Sequence, residues 1–328
     1  MSQFVIGIDL GGTTSKMAVL TPEGEILSKW SIPTDIEQQG QNIVPNIIQS
    51  IKEKIYELDL SVEELIGIGM GSPGAVNHKA QTVIGAYNLN WETEQNVGEQ
   101  FKNAFDAPFC IDNDANIAAL GEQWMGAGKG HQNVVMVTLG TGVGGGIVVQ
   151  GDLLHGTYGS AGEIGHIIVD PDTDIQCTCG NHGCLEALAS ATGIVNLAKK
   201  YMEETDIESQ LKEAVEVGLP LDARLIFDCA QSGDTLSQQI VDQFCRYLGL
   251  ACGHLSCILN PSRIILGGGV AQSGEMMRAK VESYMLQYTF PAIRNHAKLV
   301  LATLGNDAGI YGACLLYTSD AADDIALV

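Results

Sequence analysis

Residues Phe4–Leu20 read FVIGIDLGGTTSKMAVL, and residues Val134–Val149 read VVMVTLGTGVGGGIVV. Each opens as an apolar run of strand length, stops at a glycine turn and resumes as a short apolar strand. Each then meets a second turn, Pro22-Glu23-Gly24 in one and Gln150-Gly151-Asp152 in the other, ahead of Ile26-Leu27 and Leu153-Leu154. Overlaid without gaps, Leu10-Gly11 falls on Leu139-Gly140, Asp9 on Thr138, and Val19-Leu20 on Val148-Val149. This is an internal repeat of a strand–turn–strand–turn–strand unit. It predicts two similar α/β lobes, each presenting a glycine turn to a shared cleft. Backbone N–H groups in such turns bind anions, and one turn per lobe can grip a phosphate chain from both sides.

Other readings of these glycines fare less well. Gly140-x-Gly142-x-x-Gly145 has the spacing of a dinucleotide fingerprint, but that fingerprint opens a helix. Here a β-branched run and another turn follow, as in a hairpin. Gly128-Lys129 hints at a Walker loop, yet position 123 is Gln and Gly130 follows the lysine. Turns that merely reverse the chain are the simplest alternative, and duplication argues against it. Asp9 ends its strand beside the first turn, where a carboxylate can hold hydrated Mg²⁺. Lys16, one short strand further on, either reaches a phosphate or is an exposed strand lysine.

Pro108–Asp114 reads as a strand that stops at polar residues, and Ala115–Trp124 has helix composition. Asp114 would sit at the helix start, which suits a simple cap. It equally suits a base that takes a proton from an attacking hydroxyl. Asn113 offers the donor and the acceptor that a polyol requires, and Asp112 competes for both roles.

The stretch Gly162–Glu186, GEIGHIIVDPDTDIQCTCGNHGCLE, holds His166, Cys177, Cys179 and Cys184. Four soft ligands at this spacing predict a closed tetrahedral zinc site. Glu163 and Glu186 bracket it, so the metal could hold acidic groups against a polar ligand. Further on, Thr235–Leu259 reads as a long amphipathic helix whose Cys245, Cys252 and Cys257 look like small core residues. Ile264–Leu266 reads as a buried strand running into Gly267-Gly268-Gly269, which allows close approach of a flat ligand such as a nucleotide base.

A chain of 328 residues with 45% hydrophobic content favours two lobes with substantial cores. No apolar run reaches the length of a membrane span, and no signal peptide is evident. Three of nine cysteines cluster, which fits a metal site in a reducing compartment and a cytoplasmic protein. A net charge of −22 argues against nucleic acid as partner, but not against a nucleotide held by backbone N–H groups and a metal.

Asp9-Leu-Gly-Gly-Thr-Thr14, Asn113-Asp-Ala-Asn116, Leu139-Gly-Thr-Gly-Val-Gly-Gly145, Gly162-Glu-Ile-Gly-His166 and Cys177-x-Cys-Gly-x-x-Gly-Cys-Leu-Glu186 occur in this order. Together they resemble the ROK family of sugar kinases and repressors, most closely its bacterial glucokinases, from about Phe4 to about Leu316. The resemblance implies a two-lobed actin-like (ribonuclease H-like) ATPase fold, with duplicated ββ phosphate-binding hairpins and an inserted zinc loop. A small lobe of residues 1–112 plus about 305–316 would join a large lobe of residues 113–304, with the zinc loop at 166–184. It implies ATP-dependent phosphorylation of glucose at the 6-hydroxyl, with Mg²⁺ and a structural Zn²⁺.

By the same resemblance Asp114 is the general base, and Asn113, Asp114, Glu163, His166 and Glu186 contact sugar hydroxyls. His166 also ligates zinc with Cys177, Cys179 and Cys184. Asp9, Gly11, Gly12, Thr13, Lys16, Gly140, Thr141, Gly142 and Gly268 serve ATP and Mg²⁺. Ser72-Pro-Gly74 and Asn88-Leu-x-Trp91 fall in the family's sugar-side loops. A homodimer is expected, with no nucleic-acid or membrane partner. Other hexose kinases of the family, acting on N-acetylmannosamine, N-acetylglucosamine, fructose or allose, stand as alternatives. An actin-like filament protein or heat-shock ATPase lacks a reason for the zinc loop. No helix-turn-helix precedes Phe4, which disfavours the repressor branch. Residues 317–328 depart from the family's ending and read as a disordered extension or a cloning junction.

Overall fold

The computed structural model describes residues 3–325. Packing divides it into two compact units. One comprises the chain up to Gly130, Gly146–Ala161 and the segment from Asn306; the other comprises His131–Gly145 and Gly162–Gly305.

In the first unit, β1 (Phe4–Leu10), β2 (Thr14–Leu20) and β3 (Ile26–Pro33) form an antiparallel meander. After α1 (Glu37–Gly40) and α2 (Ile43–Glu57), β4 (Leu65–Ser72) pairs parallel with β1. A small sheet of β5 (Ala75–Asn77), β6 (Thr82–Ile84) and β7 (Gln95–Asn96) follows. Then come α3 (Val97–Ala104), β8 (Phe109–Asn113) and α4 (Asp114–Trp124). The main sheet has the order β3-β2-β1-β4-β8.

The period of two decides its packing. Phe4, Ile6, Ile8 and Leu10 share a core with Met17 and Val19 and with Ile43, Val44, Ile47, Ile51 and Ile55 of α2. Burying each such side chain contributes about 1.5–3 kcal/mol. Val5, Ala18 and Leu20 face the other way, against Ile310 and Cys314 of the last helix, α11 (Ala308–Ile325). That helix lies close because Gly69 has no side chain: a Cβ there would sit 1.6 Å from the Ala313 carbonyl oxygen.

The second sheet is built from β9 (Val134–Leu139), β10 (Val143–Val149), β11 (Asp152–Leu153), β12 (Arg263–Gly267) and β13 (Lys298–Leu301). Its order is β11-β10-β9-β12-β13, with β12 parallel to both β9 and β13. The order and directions repeat those of the first sheet, as the duplicated sequence predicts. A strand follows Gly140–Gly142, which excludes the dinucleotide fingerprint by its missing helix. The helices here are α5 (Leu185–Ala189), α6 (Ala191–Glu204), α7 (Gln210–Glu216), α8 (Ala223–Gln231), α9 (Thr235–Leu259) and α10 (Glu275–Tyr288).

Three expectations change. The unit boundary falls after Gly130 instead of at Asp112/Asn113, because α4 packs along α11 of the first unit. Cys245 and Cys252 are core residues, but Cys257 is exposed on the last turn of α9, its sulfur accepting from the Phe290 N–H. The backbone of the unusual tail continues α11 as far as Ile325, and residues 326–328 lie outside the described residues. Among the described residues, no helix is long and apolar enough to cross a membrane.

Candidate functional site

The residues singled out from the sequence fall into two groups, one per unit. In the first unit Asp9 is half-buried at the end of β1, and its Oδ2 accepts from Lys16 Nζ at 3.1 Å. The lysine read as a phosphate ligand therefore pairs with the carboxylate beside it. The turn is closed by Gly11 N–H donating to the Thr14 carbonyl at 3.1 Å. The Thr34 hydroxyl donates to the Gly11 carbonyl at 2.7 Å, and the Thr34 N–H donates to the Thr13 carbonyl at 3.0 Å. Gly12 lies against Asn88, whose carbonyl oxygen would stand 3.1 Å from any Cβ added there. Trp91 is buried and donates to the Gly40 carbonyl, so it supports the loop from within.

Asn113 and Asp114 stand where β8 gives way to α4. Asn113 caps the helix, its Oδ1 accepting from the Ala115 N–H at 2.9 Å, and its Nδ2 donates to the Gly74 carbonyl at 3.3 Å. Asp114 is exposed, and its Oδ1 also accepts from the Ala115 N–H, at 2.8 Å. Asp112 is only 3% exposed. Its two oxygens take the Asn113 N–H, the Asn116 amide and His155. Of the two aspartates left open by the sequence, Asp114 is the exposed one and Asp112 the buried one.

In the second unit His166, Cys177, Cys179 and Cys184 converge, their ligand atoms all within 4.8 Å of one another. Cys177 Sγ lies 3.7 Å from His166 Nδ1, and Cys179 Sγ lies 3.7 Å from Cys184 Sγ. A tetrahedral shell with ordinary zinc–sulfur and zinc–nitrogen bonds requires ligand separations of about 3.5–3.8 Å. The two closest pairs match those separations, so the donor set and its spacing suit such an ion. Burial and the neighbouring thiols push Cys184 up to about 12, whereas the Asn181 backbone N–H lowers exposed Cys179. Thiols crowded this way ionise together only around a cation.

The bracketing glutamates differ. Glu163 is exposed, with Oε2 4.0 Å from His166 Nε2. Glu186 joins the cysteine loop to the second glycine turn: Oε1 accepts from the Thr178 hydroxyl at 3.1 Å and Oε2 from the Val143 N–H at 3.1 Å. Gly142 leaves room for that carboxylate, since a Cβ there would stand 2.3 Å from Glu186 Oε2.

Gly140 and Thr141 border a cavity of about 640 Å³ that is also lined by Asp222, Arg224, Phe227 and Gln272. Gly269 joins the lining, whereas Gly268 adopts φ +84° and packs against Leu139, with no space for a Cβ. The cavity has the size of a nucleoside-binding site. Its α8 residues carry no motif signal in the sequence. His155 carries no motif signal of its own, and Asn116 stood in a quoted motif without a role assigned to it.

The comparisons follow this geometry. A model of the ROK family matches residues 5–320. A glucokinase of Halalkalibacterium halodurans is 42% identical over 310 residues, covering 94% of this chain and 93% of that protein. The crystal structure of a ROK family glucokinase from Streptomyces griseus, in complex with glucose and AMPPNP, superposes with a TM-score of 0.73 at 32% identity. That match covers 96% of this chain and 99% of that one. A ROK hexokinase from Thermus thermophilus gives a TM-score of 0.82 at 29% identity, covering 98% and 100%.

Proposed function

Since the chain belongs to the ROK family, with its actin-like ATPase fold, we propose that it works as an ATP-dependent glucokinase. It transfers the γ-phosphoryl group of ATP to the 6-hydroxyl of glucose. The observation that carries the residue assignment is the contrast at the end of β8, where Asp112 is buried among donors and Asp114 is exposed. Asp114 takes the proton of the 6-hydroxyl as that oxygen attacks phosphorus. Its bond to the Ala115 N–H at the helix start orients the carboxyl group toward the acceptor hydroxyl. Phosphoryl transfer needs little covalent help, so orientation and charge neutralisation supply most of the rate.

The other roles follow from chemistry. Asn113, Glu163, His166 and Glu186 bind sugar hydroxyls, His166 through the Nε2 that faces Glu163. The N–H groups of Gly11, Gly12 and Thr13, and of Gly140, Thr141 and Gly142, bind phosphate oxygens. The cavity beside Gly140 takes the adenosine, with Gly269 in its wall and Gly268 turning the backbone against Leu139 beside it. Mg²⁺, when bound, neutralises phosphate charge, and Asp9 is the carboxylate to hold its hydrated form. Zn²⁺ on His166, Cys177, Cys179 and Cys184 is structural, because a closed shell leaves no position for substrate. The same reading has a cytoplasmic homodimer, without nucleic acid or membrane as partner, and treats residues 317–328 as dispensable.

Replacing Asp114→Ala tests the reading. Phosphorylation of glucose should fall by about 10²–10⁴-fold, with ATP affinity by calorimetry unchanged. Retained turnover would remove Asp114 from the role of base.

A further inference from the structure

We propose that Asp112 and His155 form a positioning pair that sets the orientation of Asp114, an inference that rests on the reading of Asp114 as the base. Asp112 Oδ1 accepts from the Asn113 N–H and from Asn116 Nδ2, both at 2.7 Å. These two residues flank Asp114 in the chain, one before it and one a half-turn of helix after it. A single oxygen thus clamps the strand end and the first helical turn about the base. Asp112 Oδ2 pairs with His155 Nε2. His78 stacks on the His155 ring, with centroids 4.2 Å apart and planes 18° from parallel, which fixes the imidazole from its face.

Burial makes this arrangement informative. A carboxylate with 3% exposure is tolerated only when donors surround it, and a strand position of this kind is normally filled by an apolar residue. Asn116 carries a related cost. Its Oδ1 is buried without a hydrogen-bond partner, while its Nδ2 serves Asp112. The amide orientation is therefore dictated by Asp112 and not by the satisfaction of Asn116 itself. Two unfavourable buried polar placements meet at the two residues that bracket Asp114. Neither residue need touch substrate, so both act through the base.

His155→Ala, His155→Gln and Asp112→Asn, with Asp114→Ala as reference, separate this role from a purely structural one. Steady-state kinetics with glucose and ATP are measured beside thermal unfolding. His155→Ala should lower kcat by about 10–100-fold while the KM for ATP stays within about twofold, since loosened support misplaces the base without touching the nucleotide. His155→Gln, whose amide can still donate to Asp112, should recover most of that loss. Asp112→Asn, which puts an amide NH₂ where one of the two accepting oxygens stood, should resemble His155→Ala. Folded His155→Ala and Asp112→Asn proteins with unaltered kcat would overturn the pair, as would a glutamine no better than alanine. Asp114→Ala keeps the two ideas apart. If it is inactive while the His155 variants are normal, only the positioning pair fails; if it is active, the base assignment fails.

Discussion

The two glycine turns share one strand order but hold their charge differently. Beside the turn at Gly11–Thr13, the charge is local in sequence: Asp9 and Lys16 pair across the β1–β2 hairpin. The turn at Gly140–Gly142 has no charged neighbour in its own hairpin. It receives a carboxylate from Glu186, which bonds the Val143 N–H, and a further brace from the Ala191 N–H on the Gly140 carbonyl. Duplication has conserved the backbone solution, a turn of N–H groups between two strands. The side chains that support each turn have diverged. In one copy the charged pair lies within the hairpin, whereas in the other the carboxylate comes from Glu186 of the cysteine loop, more than forty residues downstream.

That difference can be broken from either side. The largest effect is expected at Asp9→Asn, which removes the carboxylate from the hairpin that carries its own charged pair. The kcat/KM for ATP should fall by about 10–100-fold, the cost typical of losing a group that orients a metal's outer shell. Raising Mg²⁺ should restore part of it, and a fall indifferent to Mg²⁺ would separate Asp9 from the cation.

A smaller effect is expected on stripping the metal with a chelator, followed by calorimetry with glucose and a non-hydrolysable ATP analogue. Glucose affinity should weaken by about tenfold as His166, Glu163 and Glu186 lose their anchor, and ATP affinity should weaken less, through Glu186 and Val143 alone. Equal losses for both ligands would reduce the metal to a general prop of the fold.

The smallest effect should come from Asp234→Ala, which sharpens the comparison by disturbing the second unit away from both turns. Asp234 caps α9 and accepts from Ser237, Ser209 and the Gln210 N–H. Burial alone would raise its carboxyl, but these hydrogen bonds outweigh it and hold it below the ordinary carboxylate range. A depressed carboxyl stabilises the fold above its unfolded pKa, and that contribution disappears as pH falls through the folded value. The variant should lose about 1–2 kcal/mol near neutrality and show a shallower acid-side decline in denaturant titrations, with unchanged kinetics. A kinetic defect would mean that α9 reports to the site.

Legibility followed the range of the interactions involved. The hairpins, the helix after Asn113 and the limits of α9 were readable because they depend on periodicity and turn residues a few positions apart. The His/Cys cluster was readable for the same reason, since three of its four residues lie within eight positions. Which of Asp112 and Asp114 is buried was not. It depends on His155 and His78, which no local pattern connects to β8. Cys257 was misread because helical periodicity does not say where packing against α10 ends. The place of α4 with the first unit was hidden too, since it depends on α11 near the far end of the chain.

By itself, then, the sequence determined the duplicated hairpin, the residues of the His/Cys cluster and a family resemblance specific enough to imply glucose and ATP. Tertiary structure alone decided which aspartate is exposed, that Lys16 pairs with Asp9, that Glu186 reaches the second turn, and which α8 residues line the cavity. The physical reason is the same in each case. Backbone conformation and ligand spacing are local properties, whereas burial and hydrogen-bond partnership are settled by residues distant in the chain.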